Sequence, residues 1–260
     1  MRISPNRSIA LTYSRKVSQT LQRGIAVLEF LRHSRHAHSP REIAEATSLD
    51  RTVTYRILRT LELDALVVLR DDGRYELGPR VALLGFAYLH YHPLRNASLP
   101  HLYELLFQRF AGEPWMLHVM ERVESEISVV SQILSPTMAF ASLMALPPIV
   151  PIEHTPTGQC ILAFMPPDQV AALIGKKSAL ALASTLQRIR KTGFIWVSST
   201  EDPLLPPELE VIATPILGRS GAPLGALSVA GSGLNQHASA QSLVVLNLIS
   251  TAEKIGRTMP

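Results

Sequence analysis

The chain has 260 residues, 47% apolar and 18% charged, enough apolar material for two well-buried domains of ordinary size. A single cysteine, Cys160, excludes an internal disulfide and a thiolate-rich zinc site. No apolar run approaches the roughly 18 residues of a membrane-spanning helix, and residues 1–18 lack the apolar core of a secretory signal, so the expected location is the cytoplasm.

The formal charge of +4 is unevenly spread. Residues 1–92 carry 14 Lys and Arg against 9 Asp and Glu, a net of +5; residues 93–260 carry 11 against 12, a net of −1. Positive charge confined to the first third suits a module that meets phosphates, because Lys and Arg gain affinity by releasing counterions from a nucleic-acid backbone.

Residues 1–18 read as a loose basic tail. From Thr20, Leu21, Ile25, Leu28 and Leu31 recur at helical spacing and predict an amphipathic helix that stops near Arg32. The stretch from Arg32 to His38 reads as a loop. His33, His36 and His38 have no Cys or carboxylate between them, so they are expected to be solvated or phosphate-facing rather than metal ligands.

Ser39, Pro40 and Glu42 supply an N-cap, a proline at the first helical position and the third-position acid of a capping box, which start a short helix ending at Thr47. After Ser48-Leu49, Asp50 caps a second helix running to about Asp64, and two helices so closely joined form a helix-turn-helix. On that second helix Val53, Ile57, Leu58 and Leu61 share one side, while Thr52, Tyr55, Arg56 and Arg59 share the other. An arginine can bond a guanine edge with two donors, and Thr and Tyr can meet a thymine methyl or a phosphate. Taken alone, such a face is an ordinary solvated one.

A wing follows: Leu66 to Arg70 and Arg74 to Leu77 flank Asp71-Asp72-Gly73, a strong hairpin signal because glycine takes the positive φ of tight turns. Arg70 and Arg74 beside the tip are either phosphate contacts or solubilising edge charges. The expected DNA contacts are therefore Arg41, Arg51, Thr52, Tyr55, Arg56, Arg59, Arg70 and Arg74. Val81 to Tyr91 predicts a connecting helix ended by His92-Pro93.

Beyond it the elements alternate. Helices are expected around Ser98–Phe110, Gly158–Phe164, Asp168–Ile174 and Leu180–Lys191, with a closing helix carrying Val245, Leu248, Ile249, Ala252 and Ile255. Strands are expected around Trp115–Glu121, Ile127–Leu134, Phe194–Ser198, Val211–Leu217 and Leu224–Ala230. That pattern is α+β, with strands and helices around one antiparallel sheet. The boundaries expected are a tail at 1–18, a winged helix-turn-helix at 19–79, a linker helix at 80–93 and a second domain at 94–260.

Leu21-Gln22-Arg23-Gly24-Ile25-Ala26-Val27-Leu28, Glu42-Ile43-Ala44, the run from Thr52 to Leu61 and Gly73-Arg74-Tyr75-Glu76-Leu77-Gly78 stand in the order found in one family. So do Pro151 to Cys160, Gly193-Phe194, Ile212-Ala213-Thr214-Pro215-Ile216 and Ala226-Leu227-Ser228-Val229. Over residues 20–258 the chain resembles the IclR-type (isocitrate lyase regulator) bacterial regulators.

The resemblance implies a winged helix-turn-helix, a linker helix and a GAF-like effector-binding domain, assembled as a homodimer or homotetramer on a double-stranded DNA operator. It implies control of a catabolic operon through a small organic acid, aromatic acids among them. Carried over by motif position, the effector site would draw on Pro156, Thr157, Glu201, Val211, Ser228 and Ala230. This chain departs from the family pattern at Glu153, Pro156, Gln159, Cys160 and Ala230. The lost hydroxyl and the presence of Val211 make the site more apolar, which favours an aromatic or aliphatic acid.

Cys160, six residues after His154, could pair with it as nucleophile and base, but a cysteine one turn inside an apolar helix is usually a small core residue. Neither Gly-x-Ser-x-Gly nor His-Glu-x-x-His occurs. The expectation is no catalytic residue, no metal and no cofactor. The other class left open is a small-molecule sensor or enzyme whose basic N-terminal module makes protein contacts.

Overall fold

The computed structural model describes residues 17–34, 36–138, 150–200 and 208–259. The chain divides into two units between Leu89 and His90.

In the first unit, α1 (Gln19–Arg32), α2 (Pro40–Thr47) and α3 (Arg51–Leu63) precede β1 (Val67–Leu69), β2 (Tyr75–Leu77) and α4 (Pro79–His90). Local chemistry sets these boundaries. Ser39 accepts from the Glu42 N–H while Glu42 reaches back to the Ser39 N–H, so the capping box predicted for α2 is complete. Asp50 Oδ1 accepts from the N–H groups of Thr52 and Val53 at 2.8 and 3.3 Å. Between α2 and α3, Ser48 takes φ +56° and closes the turn onto Ala44 and Glu45.

The wing pairs Val67 with Leu77 and Leu69 with Tyr75. Its tip is a three-residue loop, Asp71–Gly73, in which Gly73 donates to Arg70 O and adopts φ +79°. Val27, Leu31, Ile43, Ile57, Leu58, Val67 and Tyr75 form the core that joins all three helices to the wing. Replacing Asp50 with alanine leaves two N-terminal amides of α3 uncapped. The expected loss is about 1 kcal/mol from the helix-turn-helix, read as an earlier urea transition in the far-ultraviolet circular dichroism.

The second unit opens with α5 (Pro93–Glu104), capped by His92. The helix expected around Ser98–Phe110 thus begins five residues earlier and gives way at Leu105–Arg109 to a π-turn. His92-Pro93, which the sequence marks as the end of the preceding helix, also starts this one: the ring accepts from Arg95 N–H, and a proline at the first position loses no bond.

Six strands form one antiparallel sheet in the order β5-β4-β3-β8-β7-β6. They are β3 (Met116–Val123), β4 (Glu126–Leu134), β5 (Val150–Pro151), β6 (Ile195–Ser198), β7 (Glu210–Leu217) and β8 (Pro223–Gly231). The two-residue β5 and the short 3-10 turn after it, Ile152–His154, lack any sequence signal.

Helices cover both faces, which is why β7 and β8 are buried nearly throughout and β3 is buried over its first half, Met116 to Val119. One face carries α5 and the closing α9 (Leu243–Thr258); on it Ser98 and Ser131 exchange a hydrogen bond at 3.0 Å. The other carries α6 (Pro156–Ala163), with α7 (Pro167–Ile174) and α8 (Lys176–Thr192) packed against it. This is the α+β architecture that the element pattern predicts.

Candidate nucleic-acid interface and effector site

α3 presents Arg51, Thr52, Tyr55, Arg56 and Arg59 to solvent and buries Thr54, Ile57 and Leu58. Positions 52, 55, 56 and 59 fall at i, i+3, i+4 and i+7, so they share one face. Thr54 is a buried member that the helical wheel does not single out; its hydroxyl donates to Asp50 O at 2.9 Å and so needs no outside partner.

The arginines differ in how far they are already committed. Arg41 on α2 bonds Glu45 Oε1 at 2.9 Å, and that contact raises its pKa. On the wing, Arg70 meets Glu76 at 3.3 Å, while Arg74 bends back to Glu42 at 3.4 Å and to the Ala37 carbonyl. Arg51, Arg56 and Arg59 make no ion pair among the described residues. No carboxylate among the described residues lies within ion-pair distance of them, so they are available to an external anion.

Of the three histidines before α2, His33 and His36 are exposed, whereas His38 is partly buried. His38 is not a freely solvated loop residue: its N–H donates to Tyr75 O at 2.8 Å and its O accepts from Tyr75 N–H at 2.7 Å. Its ring lies 4.8 Å from that of Phe30 and 4.7 Å from that of His36. The backbone therefore pins the entry to α2 against the wing. Glu42 sits at this junction, and the Ser39 backbone N–H and hydroxyl, helped by Arg74 and His38, hold its carboxyl below the usual range. Among the described residues, no group of three or more His, Cys, Asp or Glu is placed to hold a metal ion.

Five of the six expected effector-site residues lie among the described residues of the second unit. Ser228 and Ala230 on β8 alternate with residues facing α5 and α9, and Val211 pairs with Ala230 in register. Pro156 and Thr157 begin α6, and the Thr157 hydroxyl donates to Met120 Sδ at 3.2 Å. All of these are buried. Glu201 falls outside the described residues. The start of α6 is held close to the turn before it: a Cβ on Gly158 would collide with the Ile152 carbonyl oxygen, so only glycine permits this approach.

The register also brings in residues the sequence does not flag. Met120 lies on the α6 side, as its contact with Thr157 shows, and β3 alternates without interruption against β8, so His118 and Met116 face the same way. His118 pairs with Ser228 on one side and Gln132 on the other; Met116 pairs with Ala230 and Leu134. Within Trp115 to Glu121 the one available signal is a histidine interrupting an apolar strand.

His118 is 3% exposed, and burial lowers its pKa from 6.5 to about 4. The ring is thus neutral at pH 7 in the folded chain but protonates near 6.5 when unfolded. Because the unfolded state binds the extra proton between these values, stability falls as pH drops through that window. Acidification from pH 7.5 to 5 is expected to remove about 2 kcal/mol, a loss absent in His118→Gln, as urea titrations at both pH values would show. Cys160 is fully buried, which pushes its thiol far above the usual range and leaves no thiolate for His154 to activate.

A helix-turn-helix with an uncompensated basic outer face, followed by a separate α+β unit, defines a DNA-binding transcriptional regulator. Residues 20–67 match the IclR helix-turn-helix domain, and residues 86–257 match the C-terminal domain of bacterial transcriptional regulators of the IclR type. The chain belongs to the IclR family, whose members are transcriptional regulators and not enzymes.

Among its relatives is the glycerol operon regulatory protein of Streptomyces coelicolor, 26% identical over 225 residues, covering 82% of this chain and 85% of that one. An IclR family transcriptional regulator from Brucella abortus has the same fold, with a TM-score of 0.76 at 18% identity over 95% of each chain. So has an IclR homolog from Microbacterium hydrocarbonoxydans, solved in complex with 4-hydroxybenzoate, with a TM-score of 0.62 at 20% identity over 92% of this chain and 98% of that one.

Proposed function

We propose that this regulator controls a catabolic operon in response to a small organic acid, binding its operator as a homodimer with α3 in the major groove. The observation that carries the reading is the face of α3, where Thr52, Tyr55, Arg56 and Arg59 are exposed together and neither arginine has an acidic partner among the described residues. Arg56 and Arg59 read base edges; Arg51 and the wing arginines Arg70 and Arg74 meet phosphates, with Arg41 near the backbone. Because Arg70 and Arg74 must leave Glu76 and Glu42 to do so, they contribute less.

The effector lies between the start of α6 and the sheet, against Pro156, Thr157, Val211, Ser228 and Ala230. The relative crystallised with 4-hydroxybenzoate supports an acid of that size. Ligand binding shifts the protein between two arrangements with different operator affinity, and α4 is the coupling element. No helix among the described residues is long and apolar enough to cross a membrane, which fits a protein working on DNA in the cytoplasm.

The test is a gel-shift titration of the purified chain on DNA from its own promoter region, with and without a panel of aromatic and short aliphatic acids. Specific binding that one acid modulates supports the reading. Binding that follows salt alone, without sequence preference or response to any acid, refutes it.

A further inference from the structure

His118 occupies the row Gln132–His118–Ser228–Ala213 across four strands, all on the side of the sheet that α6 covers. In the neighbouring row stand Met116, Ala230 and Val211, part of one apolar cluster with Leu209. The row beyond holds Met120, which takes the Thr157 hydroxyl. The imidazole therefore shares its face of the sheet with Ser228, Ala230 and Val211, three of the residues expected to meet the effector. It is itself more than nine-tenths buried, and its nitrogens make no hydrogen bond among the described residues.

We propose that His118 and Ser228 together recognise a hydroxyl group on the effector, so that the site selects a hydroxylated acid over its deoxy analogue. This rests on the reading of that side of the sheet as the effector site and adds a specificity to it.

The chemistry of the two side chains points to a hydroxyl. A neutral imidazole offers one donor and one acceptor, and a serine hydroxyl offers both. Opposed residues of antiparallel strands hold their Cβ atoms about 4.5–5.5 Å apart, close enough for one small group to bridge them. A ligand hydroxyl donates to the acceptor nitrogen of His118 and accepts from Ser228. A carboxylate can only accept, and no Lys or Arg stands in these three rows to balance its charge. The acid group is then placed away from His118, toward the exposed Gln132 side of the row. Thr157 already gives its proton to Met120, so it has none to donate to the hydroxyl.

The experiment is calorimetric titration of the full-length protein with matched pairs: benzoate against 3- and 4-hydroxybenzoate, and propionate against lactate. The expected result is that one hydroxylated member binds at least tenfold tighter than its partner, since a site built to bond a hydroxyl rejects the analogue lacking it. His118→Leu and Ser228→Ala each flatten that preference to within about threefold. If the His118 variant does not fold, Ser228→Ala and the ring nitrogen resonances of His118 in the unaltered protein decide. Those resonances shift with the hydroxylated member and not with the deoxy one.

Equal binding of both members of every pair that binds overturns the proposal while leaving acid sensing intact. A preference that survives both substitutions does the same. If no acid binds the unaltered protein, the acid-sensing reading and this one fall together.

Discussion

Replacing Arg56 and Arg59 together with alanine is expected to weaken operator binding by about 2–6 kcal/mol, roughly thirtyfold to more than ten-thousandfold. Each side chain projects from the exposed face of α3, and neither has an acidic partner among the described residues to restrain it. Truncation therefore removes a contact with DNA and little else. Fluorescence anisotropy on the operator and on scrambled DNA separates the two kinds of contact: loss of base readout narrows the gap between the sequences. The Arg70→Ala, Arg74→Ala pair weakens both DNAs alike and by less, because each of those residues already has a carboxylate. Unchanged operator affinity in the Arg56, Arg59 variant would remove α3 from the interface.

The second large effect is on stability. Leu58 is 0% exposed and packs in the cluster that joins α1, α2, α3 and the wing. Leu58→Ala leaves a cavity with few ways to collapse, and the expected cost is about 2–5 kcal/mol, a large share of what a unit of this size has to lose. Both tryptophans, Trp115 and Trp196, lie in the second unit. Tryptophan fluorescence should therefore keep its unfolding midpoint while the helical circular dichroism acquires an earlier transition. DNA binding falls with that earlier transition. A single unshifted transition by both probes would show that Leu58 carries no such burden.

The helix-turn-helix was legible because its information is local. Ser39, Glu42 and Asp50 fix helix starts through side-chain bonds spanning three residues or fewer, Pro40 adds its preset φ, and Asp72-Gly73 fixes the wing by the φ that only glycine takes readily. The strands of the second unit were legible as apolar runs, though not their order, since pairing β3 with β8 joins residues more than a hundred positions apart. For the same reason the position of His118 beside Ser228 could not be read from spacing.

The start of α5 is hidden in the sequence because His92-Pro93 carries two signals at once, an ending for one helix and a cap for the next. The pinning of His38 depends on Tyr75, 37 residues away, and nothing near the histidine announces it. Commitment of charge was equally hidden: Arg70 and Arg74 look as free as Arg56 and Arg59 until the wing folds back toward α2.

The central claim, that this chain reads an operator through α3, is tested most directly by footprinting the purified protein on the DNA upstream of its own gene. The account predicts protection of two related half-sites whose centres lie a whole number of helical turns apart, about 10 base pairs or a multiple of that, on one side of the duplex. Uniform coverage that appears only at low salt, with no bounded protected region, would contradict it.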